Sequence, residues 1–267
     1  MGSYVITGGT RGIGRGLARE LLQRGHAVVL CGRTAAGVAE AVAALQDLGA
    51  VSGQACDVTD FAQVQALWDF AVAQCGAVDA WINNAGVASH RADQQTAFAD
   101  PAEVALTIDV NLKGAVFGSM VALKGMTHQG HGRVYNMEGF GSDGRQMRTG
   151  LSTYGASKCG LRYLSRSLAK EHKGGPVKIG SLSPGMVLTD LLLKPYAGDE
   201  AKLAEVKRIF NILADHEHTV TPFLADGLVA EKMEIHWLTP SKVMARFALS
   251  LFRKRDLFAE VTERSDV

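Results

Sequence analysis

Eight residues near the start of the chain, Thr7-Gly8-Gly9-Thr10-Arg11-Gly12-Ile13-Gly14, restrict the available folds more than any other stretch. They follow a short β-branched run, Tyr4–Thr7, and lead into an amphipathic stretch, Ile13–Arg24. Gly8, Gly12 and Gly14 therefore fall where a strand becomes a helix. Glycines there let the backbone turn tightly and approach a pyrophosphate, and the helix offers unpaired N–H groups and its positive dipole end. The same alternation continues along the chain. Apolar runs at Ala27–Leu30, Ala80–Asn83, Arg133–Met137 and Val177–Ser183 read as strands, separated by helical periodicities at Thr34–Leu48, Phe61–Cys75, Asp100–Thr127 and Ser152–His172. Repeated βαβ units predict a Rossmann-like, doubly wound α/β fold: a parallel sheet with helices on both faces, in a single domain spanning 1–267. Ligands of such sheets bind beyond the carboxyl ends of the strands. Residues 186–235, which mix apolar clusters with polar turns, are expected to form a substrate lid inserted there.

The second strand ends Leu30-Cys31-Gly32-Arg33-Thr34, without the carboxylate that holds a ribose 2′-hydroxyl in NAD-specific sites. Arg33 and Arg11 instead offer two guanidinium groups to a 2′-phosphate, which favours NADP(H). Charge balance (28 Lys and Arg against 27 Asp and Glu) argues against nucleic acid as a partner. Four isolated cysteines without CxxC spacing suggest neither a zinc site nor a disulfide framework, and fit a reducing compartment. No apolar run reaches the length of a membrane span, and the chain enters a strand almost at once, so no leader is expected at its start. His128/His131 and His216/His218 lack partners at metal spacing, so no metal is expected. Ser167 and Ser181 lack a triad setting, Asp109 reads as a helix cap or solvated side chain, and the basic run Arg253-Lys254-Arg255 reads as a solvated helix face.

Tyr154 and Lys158 stand at i and i+4 and share one helix face. A free phenol has a pKa near 10, and a neighbouring ammonium should draw it toward neutrality, as general acid–base work needs. With the glycine loop upstream, this pair makes the chain resemble the short-chain dehydrogenase/reductases. The likeness includes Cys56-Asp57-Val58, Asn83-Asn84-Ala85-Gly86, Asn111, and Ser183-Pro184-Gly185-Met186-Val187 with Thr189. It implies that Asp57 and Val58 lie by the adenine and that Asn83, Ala85 and Gly86 support the cofactor, NADPH. It implies that Asn111 anchors a helix kink and a proton-relaying water, and that Lys158 also holds the nicotinamide ribose. Pro184, Gly185, Val187 and Thr189 would pack on the nicotinamide. It also implies a homodimer or homotetramer.

One position departs from that pattern. The family's catalytic serine closes a strand reading N-x-S-S, whereas here the strand reads Asn136-Met137-Glu138-Gly139, and Ser142 is the nearest hydroxyl able to replace it. The loop Asn136–Arg145 and the segment Ser183–Leu193 are similar to those of the chlorophyll(ide) b reductases, with Glu138 where that group usually has Asp. This likeness runs from residue 4 to about residue 258 and implies NADPH-dependent reduction of the 7-formyl group of chlorophyll b or chlorophyllide b. A macrocycle needs a broad apolar cleft, and Leu191–Leu193, Phe210, Phe223 and Trp237 are the candidate liners. The alternatives are a reductase for another large apolar ketone (steroid, acyl or quinone) and a non-catalytic NADP(H)-binding module. Peripheral membrane contact through an apolar lid fits such a substrate. The expected compartment is the cytoplasm, with the plastid stroma, after removal of a transit peptide, as the alternative.

Overall fold

The computed structural model describes residues 1–88, 94–196, 198–252 and 255–259. In chain order its elements are β1 (Ser3–Ile6), α1 (Gly12–Gln23), β2 (Ala27–Gly32), α2 (Ala35–Ala43), β3 (Val51–Ala55), α3 (Phe61–Cys75), β4 (Ala80–Asn83), α4 (Pro101–Ile108), α5 (Gly114–Gln129), β5 (Gly132–Met137), α6 (Ser152–Glu171), β6 (Val177–Ser183), β7 (Met186–Leu188), α7 (Asp190–Leu193), α8 (Glu200–Leu213), β8 (Ala214–His216), α9 (Glu217–Val229), β9 (Glu234–His236) and α10 (Pro240–Ser250). Seven strands form one parallel sheet in the order β3-β2-β1-β4-β5-β6-β9, as the βαβ pattern predicts. The chain winds outward from β1 to β3, then returns to the other side of β1. The crevice of a doubly wound sheet therefore opens at the carboxyl ends of β1 and β4.

Strands buried on both faces carry apolar residues at successive positions, and β1 shows it. Tyr4 and Ile6 face a core with Leu17, Leu21, Leu224 and Leu228, while Val5 faces the opposite core with Trp68, Trp81, Val121 and Met126. Helix starts are set by side-chain caps: Asp60 accepts from Ala62 N and Gln63 N, and Asp100 caps α4 with Pro101 in the first turn. The helix expected over Asp100–Thr127 is broken by a π-turn, Asp109–Lys113. Against expectation, Pro101–Gln129 has the length and apolar composition of a membrane span. Its apolar residues Val121, Ala122, Leu123 and Met126 are buried in the second core.

The segment expected as a lid, 186–235, divides. The helix α9 packs its Val220, Leu224 and Leu228 into the first core, and β9 is an edge strand of the main sheet, so 217–235 belongs to the fold itself. Residues 186–216 are different. Among the described residues, the strands β7 and β8 pair only with each other, Val187 opposite Asp215, and Leu188, Tyr196, Val206, Phe210 and Ala214 make a separate third core with Leu257.

Candidate functional site

The glycine loop is held by the strand beside it. Thr7 Oγ1 accepts from the backbone N–H groups of Asn84 and Ala85 at 3.0 and 3.1 Å. The Asn84 amide donates back to the carbonyls of Thr7 and Gly8 at 2.9 and 3.0 Å. Gly8 has φ +63°, and a Cβ on it would lie 2.8 Å from Ala85 Cα. The space for a Cβ on Gly14 is filled by the Gly8 carbonyl and the Asn84 amide. No other residue could occupy these two positions without moving the backbone. Arg11 is the N-cap of α1, Gly12 has φ +51°, and Ile13 packs against the first core. The first turn of α1 has no acidic residue, so its free N–H groups keep their positive end. This cradle fits a pyrophosphate.

Thr10 packs over Gly32, and Arg33 lies exposed just past the end of β2. Arg11 is also largely exposed, 3.7 Å from the exposed carboxylate of Asp190. Asp57 folds its carboxylate onto Thr59 N and Oγ1 at 2.9 and 2.8 Å, while its own N–H is held by Gln63. Val58 is buried under α5, where Gly114 leaves room for it.

Asn83 corrects an expectation. It faces the interior instead of the crevice, donating to Asn136 Oδ1 at 2.8 Å and Ser119 Oγ at 3.1 Å and accepting from Trp81 Nε1 at 2.8 Å. Alternation along β4 sends it inward, and the next residue, Asn84, holds the glycine loop instead. The doubled Asn83-Asn84 was the signal available in the sequence.

Tyr154 and Lys158 stand one turn apart on α6, as the spacing predicts. A Cβ on Gly139 would collide with the Tyr154 hydroxyl and come within 3.4 Å of Lys158 Cε. Gly139 therefore makes the space in which the phenol sits. Ser142 is buried, and its Oγ accepts from Gly139 N at 3.0 Å. A hydroxyl that accepts one bond still has its proton to give. Lys158 donates to the Met137 carbonyl at 2.9 Å.

The expected lowering of the phenol's pKa is not found. Burial pushes Tyr154 up to about 12. Burial also draws Lys158 down to about 8, with the Glu138 carboxylate partly opposing it. Desolvation of these two buried groups on one helix face drives both shifts, each away from the charged form. Glu138 is itself buried, 3.4 Å from Arg162 Nε, and burial raises its pKa.

Asn111 lies in the π-turn, which accounts for the kink the resemblance implies. Its amide donates to the Val87 carbonyl at 3.0 Å and to Ser157 Oγ at 3.1 Å, and Oδ1 accepts from Val87 N at 2.8 Å. Ser157 continues to the Tyr154 carbonyl at 2.7 Å. Asn111 thus fastens the loop after β4 to the helix of Tyr154, with one lone pair left over. Gly86 lies between them, its Cβ position 3.4 Å from Asn111 Oδ1 and 3.8 Å from Lys158 Nζ. On the other side Pro184 is buried, Gly185 turns with φ +71°, and Val187 enters the first core. Thr189 brings its methyl to 3.6 Å from the Cβ position of Gly12. Loops after β1, β4, β5 and β6 therefore converge on one crevice.

Among the candidate liners, Phe210 is buried in the third core and does not line the crevice. Leu192 and Leu193 pack against that core, while Phe223 and Trp237 meet edge to face with centroids 5.3 Å apart. Among the described residues, no three His, Cys, Asp or Glu are arranged to hold a metal, and all four cysteines are free. Arg253 and Lys254 of the basic run lie outside the described residues; Arg255 binds Asp215.

Comparison with known proteins places this crevice in context. Residues 3–198 match the family model for short chain dehydrogenases. A probable chlorophyll(ide) b reductase, NYC1, chloroplastic, of Oryza sativa subsp. japonica is 32% identical over 280 residues, covering 97% of this chain and 54% of that protein. The chlorophyll(ide) b reductase NOL, chloroplastic, of the same organism is 36% identical over 235 residues, 85% of this chain and 66% of that one. The chain thus spans about half the length of the first relative and just under two thirds of the second. A short-chain dehydrogenase/reductase from Burkholderia phymatum, solved in complex with NAD, superposes with a TM-score of 0.77 at 25% identity, over 94% of this chain and 92% of that one.

Proposed function

This chain belongs to the short-chain dehydrogenase family, and from that premise we propose that it is an NADPH-dependent reductase of the 7-formyl group of chlorophyll b or chlorophyllide b. The observation that carries the reading is the loop after β5: Gly139 stands in place of the family's serine, the Tyr154 hydroxyl fills the space this leaves, and Ser142 lies against it. Relatives that share most of the chain bear the name of this activity. Their names also carry a chloroplast location, which supports the plastid stroma over the cytoplasm.

The residues fit the cofactor: the glycine cradle would take the pyrophosphate, and Arg33 with Arg11, and no carboxylate at the end of β2, would take a 2′-phosphate. When bound, NADPH supplies the hydride that reaches the carbonyl carbon. Tyr154, protonated at neutral pH, donates its proton to the oxygen as negative charge develops there. Ser142 polarises that oxygen with its free hydroxyl proton. Lys158, cationic below about pH 8, stabilises the phenolate left behind. Asn111 holds the helix of Tyr154 and, through its spare lone pair, a water that returns the proton. The 186–216 segment covers the macrocycle.

The test is anaerobic incubation of the protein with NADPH and chlorophyllide b, with chromatography of the pigments. The 7-hydroxymethyl product is expected, and Tyr154→Phe should lose it while keeping NADPH affinity. NADPH binding without pigment turnover would refute the substrate assignment.

A further inference from the structure

The buried carboxylate of Asp215 on β8 is not used by the proposed chemistry. Its side chain is 4% exposed, yet it receives three donors: Trp237 Nε1 at 2.7 Å, Arg246 Nη2 at 2.6 Å and Arg255 Nη2 at 2.9 Å. A buried charge must be paired, and one guanidinium would suffice for neutrality. Both arginines also reach backbone. Arg246 donates to the Leu213 carbonyl at 2.8 Å and Arg255 to the Ala214 carbonyl at 3.2 Å. They hold the junction of α8 and β8.

The chain beyond Arg255 then enters the third core. Leu257 is buried there, its N–H donates to Asn211 Oδ1 at 3.0 Å, and Phe258 stacks on Phe210 with centroids 6.5 Å apart. Lys207 adds a cation over the Phe258 ring at 4.9 Å. Asp215 lies opposite Val187 in the β7–β8 pair, and Thr189, two residues on, reaches Gly12 of the glycine loop. The contacts run without a gap from the tail to the cofactor crevice.

We propose that residues 255–259 are a clasp that fixes α8 and the β7–β8 pair against the sheet, with Arg255 and Leu257 as positioning residues that set how large a substrate the crevice accepts. A buried ion-pair cluster adds little net stability, but it fixes geometry, which is what a segment with so small a core of its own requires. The part of this concerning a large substrate rests on the proposed reductase reading; the clasp itself does not.

The experiment uses the full chain with NADPH and three variants, Arg255→Gln, Arg255→Lys and Leu257→Ser. Amide hydrogen exchange should rise about tenfold or more over residues 200–216 in Arg255→Gln and Leu257→Ser, with β1, β4 and α6 unchanged, and Arg255→Lys should restore most of the protection. KM for chlorophyllide b should rise about tenfold with kcat within about twofold, while kcat/KM for 4-nitrobenzaldehyde stays constant. Unchanged exchange over 200–216 would overturn the clasp. Equal losses on both substrates would overturn its role in specificity. If the unaltered protein fails on chlorophyllide b, the reductase reading falls and the exchange measurement still decides the clasp.

Discussion

Gly139 is where the family pattern and the steric facts of this chain pull apart. Restoring the family's serine by Gly139→Ser would place a Cβ where the Tyr154 hydroxyl lies. Because that neighbour is the end of a ring already packed by protein, the phenol must move. The expected outcome is a loss of kcat of about 10²-fold, since a displacement of an ångström at the reacting group costs on that order. Steady-state kinetics on the purified variant checks it, and a rate equal to the unaltered protein would show that the phenol has room to shift. Lys158 provides a second test. Its pKa is drawn down to about 8 from the usual lysine value, so its ammonium is present below that pH and lost above it. Reduction should therefore slow as pH rises through about 8, while the phenol, near 12, stays protonated throughout. Folding responds with the opposite sign. The folded state binds the Lys158 proton less tightly than the unfolded chain, so this group's contribution to stability increases as pH rises from about 8 to the unfolded lysine value. Rate and stability profiles on one sample separate the two effects.

Among the elements, β4 and the turn after it illustrate what a sequence pattern conveys. Asn83 and Asn84 are chemically identical neighbours, and only the alternation of the strand decides that the first enters the core network while the second holds the glycine loop. Asn83→Ala should lower stability by about 2–3 kcal/mol, because buried partners on Trp81, Ser119 and Asn136 are left unpaired, yet leave NADPH affinity within about threefold. Asn84→Ala should do the reverse, weakening NADPH binding about tenfold or more with a smaller loss of stability. Thermal denaturation and fluorescence titration of both variants check the pair. The same logic explains which strands were legible. The five inner strands announce themselves as apolar runs because they are covered on both faces and flanked on both sides. The two edge strands do not: Val51-Ser52-Gly53-Gln54-Ala55 and Glu234-Ile235-His236 each have one neighbour and carry polar residues, so no run marks them. The glycine loop, Tyr154 and Lys158 were readable because their chemistry demands fixed spacing. The pKa values were not, since they depend on burial by residues distant in sequence.

On the scale of the whole molecule, the separation of the third core from the two cores against the sheet has consequences for motion. The main cores share seven hydrogen-bonded strands, whereas the third rests on one short strand pair, α8 and the returning tail. A unit with few buried apolar contacts opens at lower free energy than the sheet it leans on. Under the proposed function, entry of a macrocycle requires such an opening of the 186–216 segment. Phe210→Ala makes the argument quantitative. Phe210 is one of the largest fully buried side chains, and it contacts Tyr196 and Phe258. Its truncation should cost about 3–5 kcal/mol, but only to the state in which the third core is closed. Native-state hydrogen exchange should then show residues 200–216 exchanging through local opening, with β1, β4 and β5 unaffected and NADPH still bound. If Phe210→Ala instead lowered protection uniformly through the sheet, the third core would be one cooperative unit with the rest. The crevice would then have to admit its substrate without a moving cover.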